Sequence, residues 1–310
     1  MSQMSVTQWN QLIGNKPSRN RSKARVGLGF TLPSIIFVFI LLIYPIAYLV
    51  KQSFYDYSPL RSTEATYVGL GNYVWMLTSD TVLHSLGITL LFTVLSVALE
   101  VALGLLIAFC IAKLMLEGRT TFDRIFCNLA NGLFILPFAT PAICAAVAWK
   151  MLLQPSFGPV DALINSSIAW FSKYPLMSVI GADVWKMTPM VMFLFLSAIL
   201  SIDPEQFEAA RMDGANTFQE FLYLTIPSIL PLITVTTAFR AVDAFTKVFD
   251  IVYMTTGGGP GNDTEVFPLL VWKTAFTNLQ FGQASSLAVM AILISVLLSS
   301  FLLLVIRRKS

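Results

Sequence analysis

Four charged residues interrupt one apolar run in the last third of the chain: Arg240, Asp243, Lys247 and Asp250. Their spacing is i, i+3, i+7, i+10. At about 100° per residue they fall at roughly 0°, 300°, 340° and 280°, one narrow stripe of a helix. The signs alternate, so neighbours can neutralise each other. Charges at membrane depth are costly and face a bundle interior or a water-filled cavity. Two readings follow. The stripe is a salt-bridged seam between helices, or a polar wall that offers donors and acceptors to a polyhydroxylated solute. Glu100, a lone acid in an earlier apolar run, is expected to pair with Arg240 or Lys247 or to face the cavity, with pairing favoured.

A second group is Asp183, Trp185, Lys186, Thr188 and Pro189. Proline removes one i→i−4 hydrogen bond, so Pro189 frees the carbonyl of Trp185. A freed carbonyl needs protein, water or ligand to satisfy it. An aromatic face beside that acceptor and a lysine makes a plausible sugar seat. The alternative is an interfacial tryptophan with a snorkelling lysine. Reaction chemistry has little to work with. His84 is the single histidine. Cys110, Cys127 and Cys144 lie in or beside apolar runs without a CxxC pair, and read as free buried thiols rather than disulfides or metal ligands. No Gly-Lys dipeptide exists, hence no phosphate-cradling P-loop. Gly257–Gly261 is glycine-rich but lacks a following lysine, and reads as a turn outside the membrane. The chain is therefore expected to be no enzyme.

The elements that must hold these groups follow from composition. The chain has 310 residues, 56% hydrophobic and only 12% charged, with a net charge of +3. Mean hydropathy is +0.73. A soluble domain carries about 25% charged residues. Half that fraction cannot coat a water-facing surface, which excludes a soluble enzyme, a disordered chain and an ordinary nucleic-acid binder. Spanning helices need about 20 apolar residues. Six candidates are present: Leu28–Val50, Val82–Leu114, Ile125–Leu153, Leu176–Leu200, Pro227–Met254 and Ala284–Ile306. Pro137 and Pro141 should bend the third. No internal repeat is visible. The basic N-terminus runs into an apolar segment too long for a signal h-region, so no cleavable signal peptide is expected. The expected fold is an all-α membrane protein: a cytoplasmic segment over 1–27, then a six-span domain over 28–310.

Basic residues set orientation. Lys16, Arg19, Arg21, Lys23, Arg25, Lys113, Arg119, Arg124, Arg211, Arg307, Arg308 and Lys309 fall on one side. Lys51, Arg61, Lys150, Lys173 and Lys273 fall on the other. The positive-inside bias predicts both termini, and the loop 201–226, in the cytoplasm. In that loop Asp203 is a natural N-cap and Pro204 suits the first helical position. Glu205 and Glu208 suit the positive end of the helix dipole. Gly214 suits the residue just past the helix end. Thr217-Phe218-Gln219-Glu220 reads as a capping box that starts a second helix ending at Ile226-Pro227. A surface-lying amphipathic helix is the plain alternative. The acidic residues oppose it, because the inner leaflet is itself negative. A docking element for a cytoplasmic partner fits better.

Glu208-Ala209-Ala210, then Gly214, then Leu224-Thr225-Ile226-Pro227 resembles the EAA loop of bacterial ABC importer permeases. Leu224 departs conservatively from the isoleucine common there. Ala238-Phe239-Arg240 through Asp243-Ala244-Phe245, Phe249-Asp250-Ile251-Val252-Tyr253 and Thr256-Gly257-Gly258-Gly259-Pro260 are similar to the carbohydrate-uptake subfamily, of the maltose-F or glycerol-phosphate-A type. The resemblance runs from about Leu28 to the C-terminus. It implies the type I ABC importer permease fold in a bacterial inner membrane. It implies a second homologous permease, two ATP-binding cassette subunits that bind ATP and magnesium, and a periplasmic substrate-binding protein. Glu208, Ala209, Ala210, Asp213 and Gly214 would couple to the ATPases. Trp185, Lys186 and Thr188, with Asp243, Lys247 and Asp250, would meet a sugar, sugar alcohol, glycosyl-glycerol or glycerol-phosphate-like solute. No cofactor would sit in this chain, and lipid would surround it. An ion-coupled secondary transporter is the other reading, and it favours inverted repeats with helices broken at midplane.

Overall fold

A helix of 38 residues, Asp80–Glu117, forms the spine against which Pro175–Ile199 and Ile226–Thr255 pack. It is the long apolar segment expected from the sequence, extended slightly at both ends. The structure is a computed structural model that describes residues 21–61, 64–118, 120–165 and 167–307. The N-terminal basic residues up to 20 and the last three lie outside them, so the expectation for 1–27 is covered only from Arg21 onward.

The first unit, residues 1–51, holds one span. It comprises α1 (Arg21–Val38), a π-helical turn (Phe39–Ile43) and α2 (Tyr44–Gln52). The second unit, 52–310, holds the rest. A short antiparallel pair comes first, β1 (Tyr55–Asp56) with β2 (Thr66–Tyr67), registered Tyr55 to Tyr67. Then come α3 (Gly71–Thr78), α4 (the spine, Asp80–Glu117), α5 (Thr121–Ala139) and α6 (Ala142–Leu152). The segment after α6 carries α7 (Pro159–Ile164) and α8 (Trp170–Lys173) before α9 (Pro175–Ile199). The loop helix α10 (Pro204–Met212) leads to α11 (Thr217–Gln219), a π-helical stretch (Glu220–Thr225) and α12 (Ile226–Thr255). α13 (Phe267–Trp272), a π-turn (Lys273–Thr277) and α14 (Phe281–Arg307) complete the chain.

The third span bends, as expected from its prolines: α5 and α6 meet at 103°. Pro141 cannot donate a backbone hydrogen bond and stands as the N-cap of α6, with extended backbone at Thr140 before it. Among the described residues five helices are long and apolar enough to cross a membrane, or six if the bent pair counts as one span. Contrary to expectation, the second helix of the loop does not stop at Ile226-Pro227. Residues Thr217–Thr255 run continuously over 39 residues. The wide π-helical stretch 220–225 precedes Pro227, so the proline enters where the ladder has already loosened. The cysteines differ too: Cys127 is buried, but Cys110 and Cys144 are exposed.

The core lies along α4, α9 and α12. Phe92, Ile180, Ala182, Val248 and Val252 bury one half of it. Leu105, Phe109, Val191, Met192, Phe195 and Ile199 bury the other. Close approach of α4 to α9 depends on Gly104. A Cβ there would sit 2.9 Å from Val191 Cγ1 and 3.1 Å from the Met192 backbone nitrogen. Small residues at such crossings let membrane helices pack backbone to backbone.

Candidate functional site

The charged groups of the apolar helices form one cluster across α4, α9 and α12. Arg240 is its centre and is almost fully buried. Its Nε donates to Glu100 Oε2 at 2.7 Å and its Nη2 to Glu100 Oε1 at 2.9 Å. Nη1 donates to Asp243 Oδ2, and Nη2 reaches Asp183 Oδ2 at 3.5 Å. Lys247 Nζ lies 2.7 Å from Asp243 Oδ1. Glu100 therefore pairs with Arg240, the favoured expectation. A two-pronged bond to a fully buried carboxylate commits the guanidinium to the protein. The stripe is divided in depth: Arg240 and Asp243 are buried, whereas Lys247 is 73% exposed. Asp250 is half-buried and makes no ion pair among the described residues. A groove of about 470 Å³ runs along α12 past Asp243, lined by Val235, Phe239, Val242, Thr246 and Ser299.

Trp185 is exposed, and its ring meets that of Trp149 edge-on at 6.0 Å. Lys186 is half-buried. Its ammonium lies 3.4 Å from the Phe138 carbonyl and 5.8 Å from the centre of the Phe138 ring. It is within electrostatic reach of Asp183, Asp243 and Lys247, so α9 and α12 contribute to one polar field. Thr188 is buried, and its Oγ1 has no protein partner. The six sequence-predicted residues thus divide. Trp185 and Lys247 are exposed and Lys186 and Asp250 half-buried, while Thr188 and Asp243 are buried.

The loop is built as its local chemistry dictates. Asp203 accepts a hydrogen bond from the Glu205 backbone at 3.1 Å, capping α10. Gly214 has φ +83°. Its N–H donates to the Arg211 carbonyl at 2.9 Å, and that of Ala215 to the Ala210 carbonyl at 3.0 Å. That pair of bonds is the Schellman closure, which favours glycine at this position. The next helix begins one residue earlier than the sequence suggested. Asn216, not Thr217, is the N-cap, and it exchanges capping-box bonds with Gln219. Glu220 is thereby released from capping.

Glu208, Ala209, Asp213 and Gly214 are exposed and Ala210 is half-buried. Met212, Phe218 and Tyr223 are also exposed, an apolar patch of the kind that marks a protein contact. A groove of about 410 Å³ beside them is lined by Ala210, Asp213, Gly214, Gln219, Glu220 and Tyr223. Sequence reasoning missed Phe207. It is buried with Ile202, Phe109, Ile199 and Ile229, and fixes α10 to the bundle. Its period within the loop, three residues after Pro204, was the available signal.

A helical membrane bundle carrying a buried ion cluster and a folded loop between its spans is a transport permease. Residues 100–310 match the family described as binding-protein-dependent transport system inner membrane component, and the chain belongs to that family. It is 30% identical over 285 residues to the trehalose/maltose transport system permease protein of Thermococcus litoralis, covering 90% of this chain and 92% of that one. It is 28% identical over 283 residues to the sulfoquinovosyl glycerol transport system permease protein of Agrobacterium fabrum, covering 89% of each. Its fold matches a crystal structure of a bacterial ABC transporter involved in the import of the acidic polysaccharide alginate. The TM-score is 0.77 at 19% identity, over 93% of this chain and 96% of that one. The chain is thus the membrane-spanning permease of an ABC importer that works with a binding protein, and the ion-coupled alternative falls away.

Proposed function

We propose that this permease forms half of the import pathway for a sugar or sugar derivative in a bacterial inner membrane. A second homologous permease supplies the other half. Two ATPase subunits bind ATP and magnesium and dock on the loop 201–226, and a periplasmic binding protein delivers the solute. Both termini then lie in the cytoplasm, as the basic-residue bias requires. Relatives that carry trehalose/maltose and sulfoquinovosyl glycerol support the substrate class. Trp185 offers a ring face, and Lys186, Lys247 and Asp250 offer donors and acceptors to hydroxyls. Thr188 and Asp243 back them. Transport is a conformational cycle in which no bond of the solute changes.

The observation that carries the reading is the loop itself. A capped helix, pinned by Phe207 and closed by Gly214, leaves Glu208, Met212 and Asp213 uncovered. The test is uptake of radiolabelled trehalose, maltose and glycerol 3-phosphate by proteoliposomes carrying the whole complex. We expect uptake of at least one probe, dependent on ATP and on binding protein. Gly214→Val should abolish it with normal membrane insertion, because a β-branched residue resists positive φ. Full uptake by that variant would remove the docking role from this turn. Uptake driven by an ion gradient without ATP would remove the whole reading.

A further inference from the structure

Four charges at the inner end of the bundle form a closed ring of alternating sign. Lys113 Nζ lies 3.0 Å from Glu220 Oε2. Arg211 Nε lies 2.8 Å from Glu220 Oε1. Arg211 Nη2 bonds Glu117, and Glu117 returns to Lys113 at 3.7 Å. Lys113 also donates to Thr217 Oγ1 at 2.6 Å. Three elements meet there: the end of α4, the last turn of α10, and the start of the rod that continues as α12. Glu220 is only 3% exposed at its side chain, while Arg211 is 43% exposed. The buried acid has both oxygens occupied, one by each cation. None of these four residues belongs to the exposed set assigned to docking.

We propose that this ring is the positioning device that makes α10 move together with α4 and α12. The inference rests on the docking role given to the loop above. Phe207 holds α10 by apolar contact, which has no preferred direction and allows sliding. The ring adds direction, because a guanidinium forked between two carboxylates fixes both distance and angle. Displacement of α10 by a partner then passes to α4 and α12, the two helices that also share the Glu100–Arg240 bond. The ring is internally neutral. The ATPase meets a loop whose orienting charges are already satisfied.

The test needs no known solute. The full transporter, with its native cysteines replaced, carries Thr246→Cys in the groove along α12. The ATP-induced change in its labelling rate by a membrane-impermeant maleimide is measured in proteoliposomes. Arg211→Gln should cut that change by about tenfold or more per ATP hydrolysed, because both of its charge-assisted hydrogen bonds are lost. Glu117→Gln should act in the same direction and less strongly, and Arg211→Lys should recover part of the loss. Complex yield should stay at the parent level. An unchanged response in Arg211→Gln and Glu117→Gln would overturn the proposal. Failure of both to assemble would also overturn it, making the ring a folding element only. A Met212→Cys cross-link to the ATPase in the parent complex separates the two levels. If it forms and the response is unchanged, only the ring falls; if it never forms, the docking reading falls and takes the ring with it.

Discussion

Arg240→Met is the most severe single change the bundle should report. Arg240 is 1% exposed and serves Glu100, Asp183 and Asp243. Its removal strips both donors from Glu100, which is fully buried. Asp243 keeps Lys247, and Asp183 keeps its hydrogen bond with Glu100 and the field of Lys186. Breaking a buried ion pair on one side costs about 3–5 kcal/mol, because a charge is left without a partner. At roughly 2–4 °C per kcal/mol, the thermal midpoint should drop by about 6–20 °C. Glu100→Met should cost less, since Arg240 then retains two acids. The double variant Arg240→Met/Glu100→Met removes no net charge and restores apolar volume. Its midpoint should recover most of that drop, the remainder reflecting Asp183, which still lacks Arg240. Size-exclusion chromatography of detergent-extracted complex after a temperature series gives all three midpoints. A double variant no better than Arg240→Met, or a costlier Glu100→Met, would refute the assignment of Arg240 as the hub.

Gly104→Ala should cost about 1–3 kcal/mol and lower the same midpoint by about 2–12 °C, since the methyl must displace Val191 or the Met192 backbone; an unchanged midpoint would show that α4 and α9 separate freely. In the segment between α6 and α9, burial pushes the Asp161 carboxyl up, but the Trp170 indole and the Ile168 and Ser156 N–H groups outweigh it and hold it below its ordinary value of 3.8. That support is therefore complete above about pH 4 and lost as pH falls below it, so protease sensitivity of residues 154–174 should rise on acidification, and Asp161→Asn should remove the pH dependence. Trp185→Ala should reduce uptake while assembly persists. Lys247→Ala should express well and fail in transport if the exposed ammonium meets solute; lost yield, rescued by also changing Asp243, would make it a structural partner instead.

Local chemistry was legible where it was self-contained. Asp203, Pro204 and Gly214 act within a few residues of themselves, and each stands where its side chain or φ preference directs. Thr217 was misjudged by one position because Asn216 competes for the same role and is the stronger cap. The pairing of Glu100 with Arg240 could be anticipated, because few opposite charges exist at that depth. The part played by Glu220 could not. Its partners Lys113 and Arg211 lie on other elements, and no spacing rule joins them. Prolines at 137 and 141 announced a bend but not its 103° size, which depends on what packs around the break. The division of the α12 stripe into a buried half and an exposed half was also beyond periodicity, since a helical wheel gives angle and not depth.

The unbroken run from Thr217 to Thr255 has a mechanical meaning. At about 1.5 Å per residue, 39 residues make a continuous arm of about 58 Å, anchored near its first turn by Glu220. A tilt of about 10° at that anchor swings the far end by about 10 Å, the width of a helix. Arg240 and Asp243 sit a little over halfway along and travel about half as far. A small stroke at the loop end of this run is thus geared up into a large one at its far end, and no break in the helix is needed to produce it.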